Sequence, residues 1–185
     1  KAIVNALKLR LLPEEKKAIE KRGTTSVEAY NLYLMARQYW LTGNHGDPRR
    51  EERVVRICGR ALEIDPEYAQ AWALLALAEA TLRFGYGRPG DGGLASAAKA
   101  LQLDSRIAEA HCVLARHHSD EGDYAAADAE LAIALRLNPD SWEVNKEAAR
   151  QRMLEKRIPE ARKLYEKAVS LADNDYHAWA MLLTC

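Results

Sequence analysis

Residues 108–141 decide the fold, and they read AEAHCVLARHHSDEGDYAAADAELAIALRLNPDS. Two apolar stretches with helical spacing flank a short acidic turn, which predicts a helix, a turn and a second helix. The small residues Ala115, Ala127 and Ala134 stand at positions 8, 20 and 27 of this segment. Small side chains let two antiparallel helices approach closely, and Pro139 at position 32 cannot continue the second helix. The segment therefore predicts a hairpin of two α-helices.

The same pattern recurs at intervals of about 34 residues along the chain. We expect a leading helical linker at residues 1–25 and a repeat array at residues 26–185. The repeat units are predicted at residues 29–68, 69–107, 108–141 and 142–175, with a partial unit at 176–185. The first two units carry longer connections than the others, at residues 43–48 and 83–91.

These spacings resemble the tetratricopeptide repeat (TPR), whose period is 34 residues. The resemblance covers residues 26–185 and implies an all-α fold, in which antiparallel helix pairs stack into a right-handed superhelix. It also implies a non-catalytic protein–protein or interdomain interaction module, with a protein or peptide segment, or another domain of the same chain, as its partner.

The segment before the repeats resembles the corresponding part of bacterial class III adenylate-cyclase-like signalling proteins. The strings that carry this resemblance are ALKL at residues 6–9, LPEE at 12–15 and AYNLYL at 29–34. Multidomain regulators with a DNA-binding winged-helix head carry similar tails. The resemblance implies a C-terminal regulatory or scaffold region, with any catalytic or DNA-binding domain upstream of Lys1. Since the sequence starts with Lys rather than Met, we expect it to be a piece of a longer protein.

Composition narrows the class of protein. The 185 residues are 48% apolar and 29% charged, which is too apolar for a disordered chain. Lys and Arg number 27, as do Asp and Glu, so a strongly basic nucleic-acid-binding domain is disfavoured. No run of apolar residues is long enough to predict a membrane span. Three widely spaced cysteines are typical of reduced thiols, so we expect a cytoplasmic protein. From the charge balance and the lack of a long apolar run, we expect it to bind neither nucleic acid nor membrane.

Two motifs point weakly to chemistry. Residues 85–90 spell GYGRPG, a GxGxxG pattern, but no strand precedes it, so we interpret it as a loop between helices. His111 and His118 share a helix face but are separated by about 10.5 Å of helix rise, too far for one metal ion. No Ser/His/Asp or Cys/His set is predicted to converge. We therefore expect no catalytic residue, no bound metal and no cofactor.

The concave face of the superhelix is the predicted binding surface, because the first helix of each repeat lines it in this architecture. Aromatic residues and arginine are enriched where binding energy concentrates. The predicted groove residues are Tyr30, Tyr33, Arg37, Trp40, Arg116, Lys146, Arg150 and Met153. The alternative for Tyr30, Tyr33 and Trp40 is that they pack on a helix predicted at residues 13–21.

The C-terminal end suggests either that more sequence follows in the native protein or that this end forms a second interface. The last segment, WAMLL at residues 179–183, is apolar, whereas a terminal repeat needs a polar outer face for solubility. A homodimer through this end, or a structural spacer with an idle groove, is therefore the alternative function. A metal- or cofactor-dependent enzyme is a further alternative, for which the sequence supplies no convergent residues.

Overall fold

The computed structural model describes residues 23–42, 47–172 and 175–185, without the side chain of Tyr176. The predicted leading segment lies outside the described residues except for 23–25, as does the helix predicted at 13–21. The described residues form α-helices and contain no strand. The helices are α1 (Val27–Thr42), α2 (Arg49–Ile64), α3 (Ala69–Tyr86), α4 (Leu94–Leu103), α5 (Ala108–Asp120), α6 (Tyr124–Leu137), α7 (Trp142–Leu154), α8 (Ile158–Leu171) and α9 (Tyr176–Thr184).

The helices stack in chain order, each packing against the next. The odd-numbered helices from α3 to α7 also contact one another, so they form one layer of the structure. Each even-numbered helix packs against the odd-numbered helices before and after it. This is the all-α superhelix of helix pairs that the repeat pattern predicts.

The helices end at equivalent positions of each repeat because the same short-range hydrogen bonds form there. The second helix of each pair ends where the N–H of Asp65, Asp104, Asn138 or Ala172 donates to the carbonyl oxygen four residues earlier. These four residues leave the helical region of backbone space, with φ between −135° and −146°. The next first helix then begins about four residues further on.

Side chains cap several first turns. Ser26 accepts a hydrogen bond from the N–H of Ala29 at 3.1 Å, and Ser141 accepts one from the N–H of Val144 at 3.3 Å. Asp175 accepts from two amides in the first turn of α9. Such caps satisfy amides that have no partner inside the helix.

Alanines hold the helices of each pair together. In the third unit Ala115, Ala127 and Ala134 are completely buried, and so are Ala149, Ala161 and Ala168 at the same positions of the fourth. A methyl group at each crossing lets the backbones approach closely. The large residue between them is Leu131 in the third unit and Tyr165 in the fourth, and each is at most 1% exposed.

The extra residues of the second unit lie partly in a helix rather than in a loop. Helix α3 has 18 residues where α5 has 13. The prediction of a loop at residues 85–90 was therefore wrong for Gly85 and Tyr86, which belong to the last turn of α3. The helix ends at Gly87, whose φ of 65° turns the chain so that the N–H of Arg88 donates to the carbonyl oxygen of Leu82.

In the second unit, a glycine lies where the two helices cross. Gly93 precedes α4 with a φ of +80°, and a Cβ there would lie 2.3 Å from the carbonyl oxygen of Ala76. A side chain is therefore excluded at this helix crossing, where the third unit places Ala127.

The first and fourth units touch across the concave face. The rings of Trp40 on α1 and Trp142 on α7 have centroids 6.4 Å apart, and both residues are buried. Arg37 Nη1 lies 2.6 Å from Glu143 Oε1. These contacts join residues about a hundred positions apart in the sequence and close one side of the groove.

Candidate functional site

A cavity of about 400 Å³ lies on the concave face, behind the contact between the first and fourth units. Each of the five first helices, α1, α3, α5, α7 and α9, contributes to its wall, and the start of α2 completes it. Leu77, Val113 and Met181 give the wall apolar patches, and charged groups from α2, α5 and α7 stand between them. This volume falls in the range of ordinary ligand pockets.

Cations and aromatic rings alternate at one end of the cavity. The Arg50 guanidinium lies 5.1 Å from the centre of the Trp40 ring, Trp40 lies against Trp142, and Lys146 Nζ lies 4.4 Å from the centre of the Trp142 ring. The indole N–H groups of Trp40 and Trp142 are buried without a hydrogen-bond partner among the described residues. The arrangement combines aromatic contact with cation–π attraction.

Buried acids neutralise most of the cations around the cavity. Arg50 pairs with Glu51, whose side chain is fully buried. Lys146 Nζ lies 2.8 Å from Asp175 Oδ2, and the Asp175 side chain is 2% exposed. Each of these two pairs joins one carboxylate to one cation, so neither pair carries a net charge.

The pair of Arg37 and Glu143 sits in a desolvated corner. Burial tends to lower the pKa of Arg37, but the charge of Glu143 outweighs it and the pKa is raised. Burial raises the pKa of Tyr33 to about 12, so its hydroxyl keeps its proton at neutral pH. Burial, followed by the charge of Glu143, also raises the pKa of Glu109. Arg37 and Glu143 therefore stay paired in this corner.

Two arginines share one carboxylate on the opposite wall. Glu147 Oε1 accepts a hydrogen bond from Arg150 Nε at 2.6 Å, and Oε2 accepts one from Arg116 Nη1 at 3.2 Å. Burial alone would raise the pKa of Glu147, but the two guanidinium groups lower it to about 2. Glu147 is therefore ionised at neutral pH, and the cluster carries one net positive charge.

The predicted groove residues fall into two groups. Trp40, Arg116, Lys146 and Arg150 line the cavity together. The other four lie beside it, outside its wall: Tyr33 packs against Tyr68 with ring centroids 5.1 Å apart, Arg37 holds Glu143, Tyr30 borders the first core cluster and Met153 borders the last.

Several residues that line the cavity were not predicted from the sequence. Arg50, Glu51 and Tyr86 come from α2 and from the extended end of α3, and the repeat pattern gives no reason to place them on the concave face. Glu147 had a visible signal, because it stands three residues before Arg150 on one helix.

Two of the histidines, His111 and His117, contact different neighbours. His111 Nδ1 lies 2.6 Å from Glu130 Oε2, whereas His117 Nε2 lies 3.1 Å from the carbonyl oxygen of Gly92. In the part of the chain that the structure describes, no three His, Cys, Asp or Glu residues are placed to hold a metal ion. Nor does any described helix combine the length and the apolar character needed to cross a bilayer.

Comparisons with known proteins support the fold. The crystal structure of a thermophilic TPR protein from Thermus thermophilus superposes with a TM-score of 0.60, at 20% sequence identity, over 91% of this chain and 85% of that one. The crystal structure of MamA matches with a TM-score of 0.45, at 20% identity, over 72% of this chain and 75% of its own. No family model matches the sequence.

One curated protein is similar over part of the chain. "Putative adenylate cyclase 3" of Rhizobium meliloti (strain 1021) is 38% identical over 77 residues. The aligned segment is 42% of this chain and 13% of the cyclase, so this chain spans a small part of that protein. From the helix pairs, their alanine crossings and the superposition on the Thermus protein, it follows that the chain has the tetratricopeptide-repeat fold.

Proposed function

We propose that the chain is a non-catalytic interaction module, and that the concave face binds a segment of another protein or of another domain. The observation that carries this proposal is the cavity itself, since all five first helices contribute to its wall. A surface already formed before binding limits the ordering cost on the side of the array.

The test is to fill the cavity at the cost of a single local hydrogen bond. Thr81 lines the cavity and is partly exposed, and its hydroxyl donates only to the carbonyl of Leu77, one turn earlier. Thr81→Trp places an indole in the binding space. Thr42→Trp is the matched control, because Thr42 is exposed on α1 and makes the same hydrogen bond to the residue four positions earlier.

Each variant and the wild-type chain are used for affinity capture from a lysate of the source organism. We expect a protein retained by the wild type and by Thr42→Trp to be lost from Thr81→Trp. Equal capture by all three would remove the concave face as the binding surface. Circular dichroism establishes that the three chains are equally folded.

We further propose that the module is the C-terminal regulatory or scaffold part of a bacterial cyclase-like or transcription-regulator-like signalling protein in the cytoplasm. The partial similarity to the Rhizobium protein supports the cyclase-like context. The free thiols Cys58, Cys112 and Cys185 are consistent with a reducing compartment. Fusing the chain to a cyclase domain and measuring cyclic AMP formation with and without Thr81→Trp tests the regulatory role.

One observation favours a second candidate, homodimerisation through α9. Trp179 is 42% exposed and Leu183 is 85% exposed on this helix. Light scattering over a range of concentrations tests it, with Leu183→Glu as the variant. A monomer at every concentration rejects the dimer.

A further inference from the structure

The cavity has one unbalanced charge. Of the arginine and lysine side chains in its wall, Arg50 faces its own carboxylate on Glu51, and Lys146 faces its own on Asp175. Among the described residues, Arg116 and Arg150 have only Glu147 between them. Two cations against one anion leave a surplus positive charge on this wall.

The shared carboxylate also leaves hydrogen-bond donors unused. Arg150 Nη2 is buried 2.6 Å from Glu147 Oε1, so it is not open to a ligand. Arg150 Nη1 and Arg116 Nη2 are not buried, and they make no hydrogen bond with the described residues. Arg116 uses Nη1 for Glu147, and its guanidinium also rests 5.4 Å from the centre of the Phe84 ring. The side chains of Arg116 and Arg150 are 28% and 19% exposed, so a ligand in the cavity reaches both.

The rest of the cavity wall suits a ligand that has an apolar part next to its anionic group. Leu77, Val113 and Met181 line the same cavity. A ligand that places a carboxylate at the arginines therefore has apolar surface within the same binding space. Guanidinium groups recognise carboxylates through paired, charge-assisted hydrogen bonds.

We propose that the cavity accepts an acidic side chain, Asp or Glu, of a partner protein segment, and that this carboxylate binds between Arg116 and Arg150 beside Glu147. The inference rests on the proposed function of the concave face and names the chemistry that this face selects. The surplus charge and the unused donors both point to one carboxylate, since a second one would meet only paired cations.

The test uses two pools of random peptides with blocked ends, one with Glu fixed at the centre and one with Gln. Blocking the ends removes the terminal carboxylate as a competing source. Both pools are offered to the wild-type chain, to Arg150→Gln and to Arg162→Gln. Arg162 is the matched control because it pairs with Glu166 on the exposed surface of α8, away from the cavity wall.

We expect the wild type and Arg162→Gln to retain the Glu pool about tenfold better than the Gln pool, the order expected for one charge-assisted hydrogen bond. Arg150→Gln is expected to lose this preference. Equal retention of both pools by the wild type, or an unchanged preference in Arg150→Gln, overturns the inference and leaves the concave face as a binding surface. Retention of neither pool by the wild type also overturns the inference, whereas the proposed function is decided by the capture experiment with Thr81→Trp.

A competition experiment keeps the test independent of how well Arg150→Gln folds. Sodium acetate is compared with sodium chloride at equal ionic strength on the wild-type chain. Acetate is expected to lower retention of the Glu pool and to leave retention of the Gln pool unchanged. An identical effect of the two salts on the Glu pool contradicts a carboxylate site.

Discussion

Replacing Glu147 by Gln tests the electrostatics of the cavity most directly. The substitution keeps the shape of the side chain and removes the charge that both Arg116 and Arg150 face. The pKa of Glu147 falls from 4.5 to about 2 in the folded chain. At about 1.4 kcal/mol per pKa unit, the ionised carboxylate contributes about 3 kcal/mol to the free energy of unfolding at pH 7.

The sign of the pH dependence follows from the lowered pKa. A carboxylate with a lowered pKa in the folded state stabilises the fold above its unfolded pKa, and this contribution is lost as the pH falls toward the folded pKa. The difference in unfolding free energy between wild type and Glu147→Gln is therefore expected to fall from about 3 kcal/mol at pH 7 to about 1 kcal/mol at pH 3.

Urea denaturation followed by far-UV circular dichroism at several pH values measures this difference. Glu166→Gln is the control, since Glu166 forms an exposed pair with Arg162 and should change stability by less than about 1 kcal/mol. A difference for Glu147→Gln that stays constant between pH 7 and pH 3 would refute the reasoning, because a lost packing contact does not titrate.

Three further predictions concern the fold. Leu131→Ala empties a site that is 1% exposed, and urea denaturation should show a loss of about 3 kcal/mol; a loss below about 1 kcal/mol would contradict its burial. Trp40→Ala, Trp142→Ala and the double variant should give a coupling energy of about 1 kcal/mol in a double-mutant cycle, and additive effects would argue against the contact between the first and fourth units. Gly93→Ala should lower the melting temperature more than Gly87→Ala, because both have positive φ but only Gly93 lies against the backbone of α3; equal effects would show that the close approach is absent.

The helix pairs follow from the sequence because short-range physics determines them. Ala115 and Ala134 mark close crossings at a fixed spacing, and a polar turn lies between the helices. The fully buried state of both residues agrees with that interpretation. The extended end of α3 was not predictable in this way, since Gly85 is typical of a loop and its place in a helix depends on the stop at Gly87.

The closed groove depends on contacts that carry no local signal. Arg37 and Glu143 are separated by 106 residues, and nothing near either one in the sequence identifies the other. The placement of Arg116, Lys146 and Arg150 around one space follows from the repeat register. The pairing of Lys146 does not, because Asp175 reaches it only after the chain has passed through the rest of the fourth helix pair.

The contact between Trp40 and Trp142 changes how the whole array is expected to unfold. Repeat proteins are coupled mainly between neighbours, so their ends fray first and the middle holds longest. A bridge between the first and fourth units means that fraying at either end also breaks that bridge. The amide hydrogen exchange rates in α1 and α7 should then change together when stability changes. This means that the array is expected to open as one cooperative unit rather than from its ends.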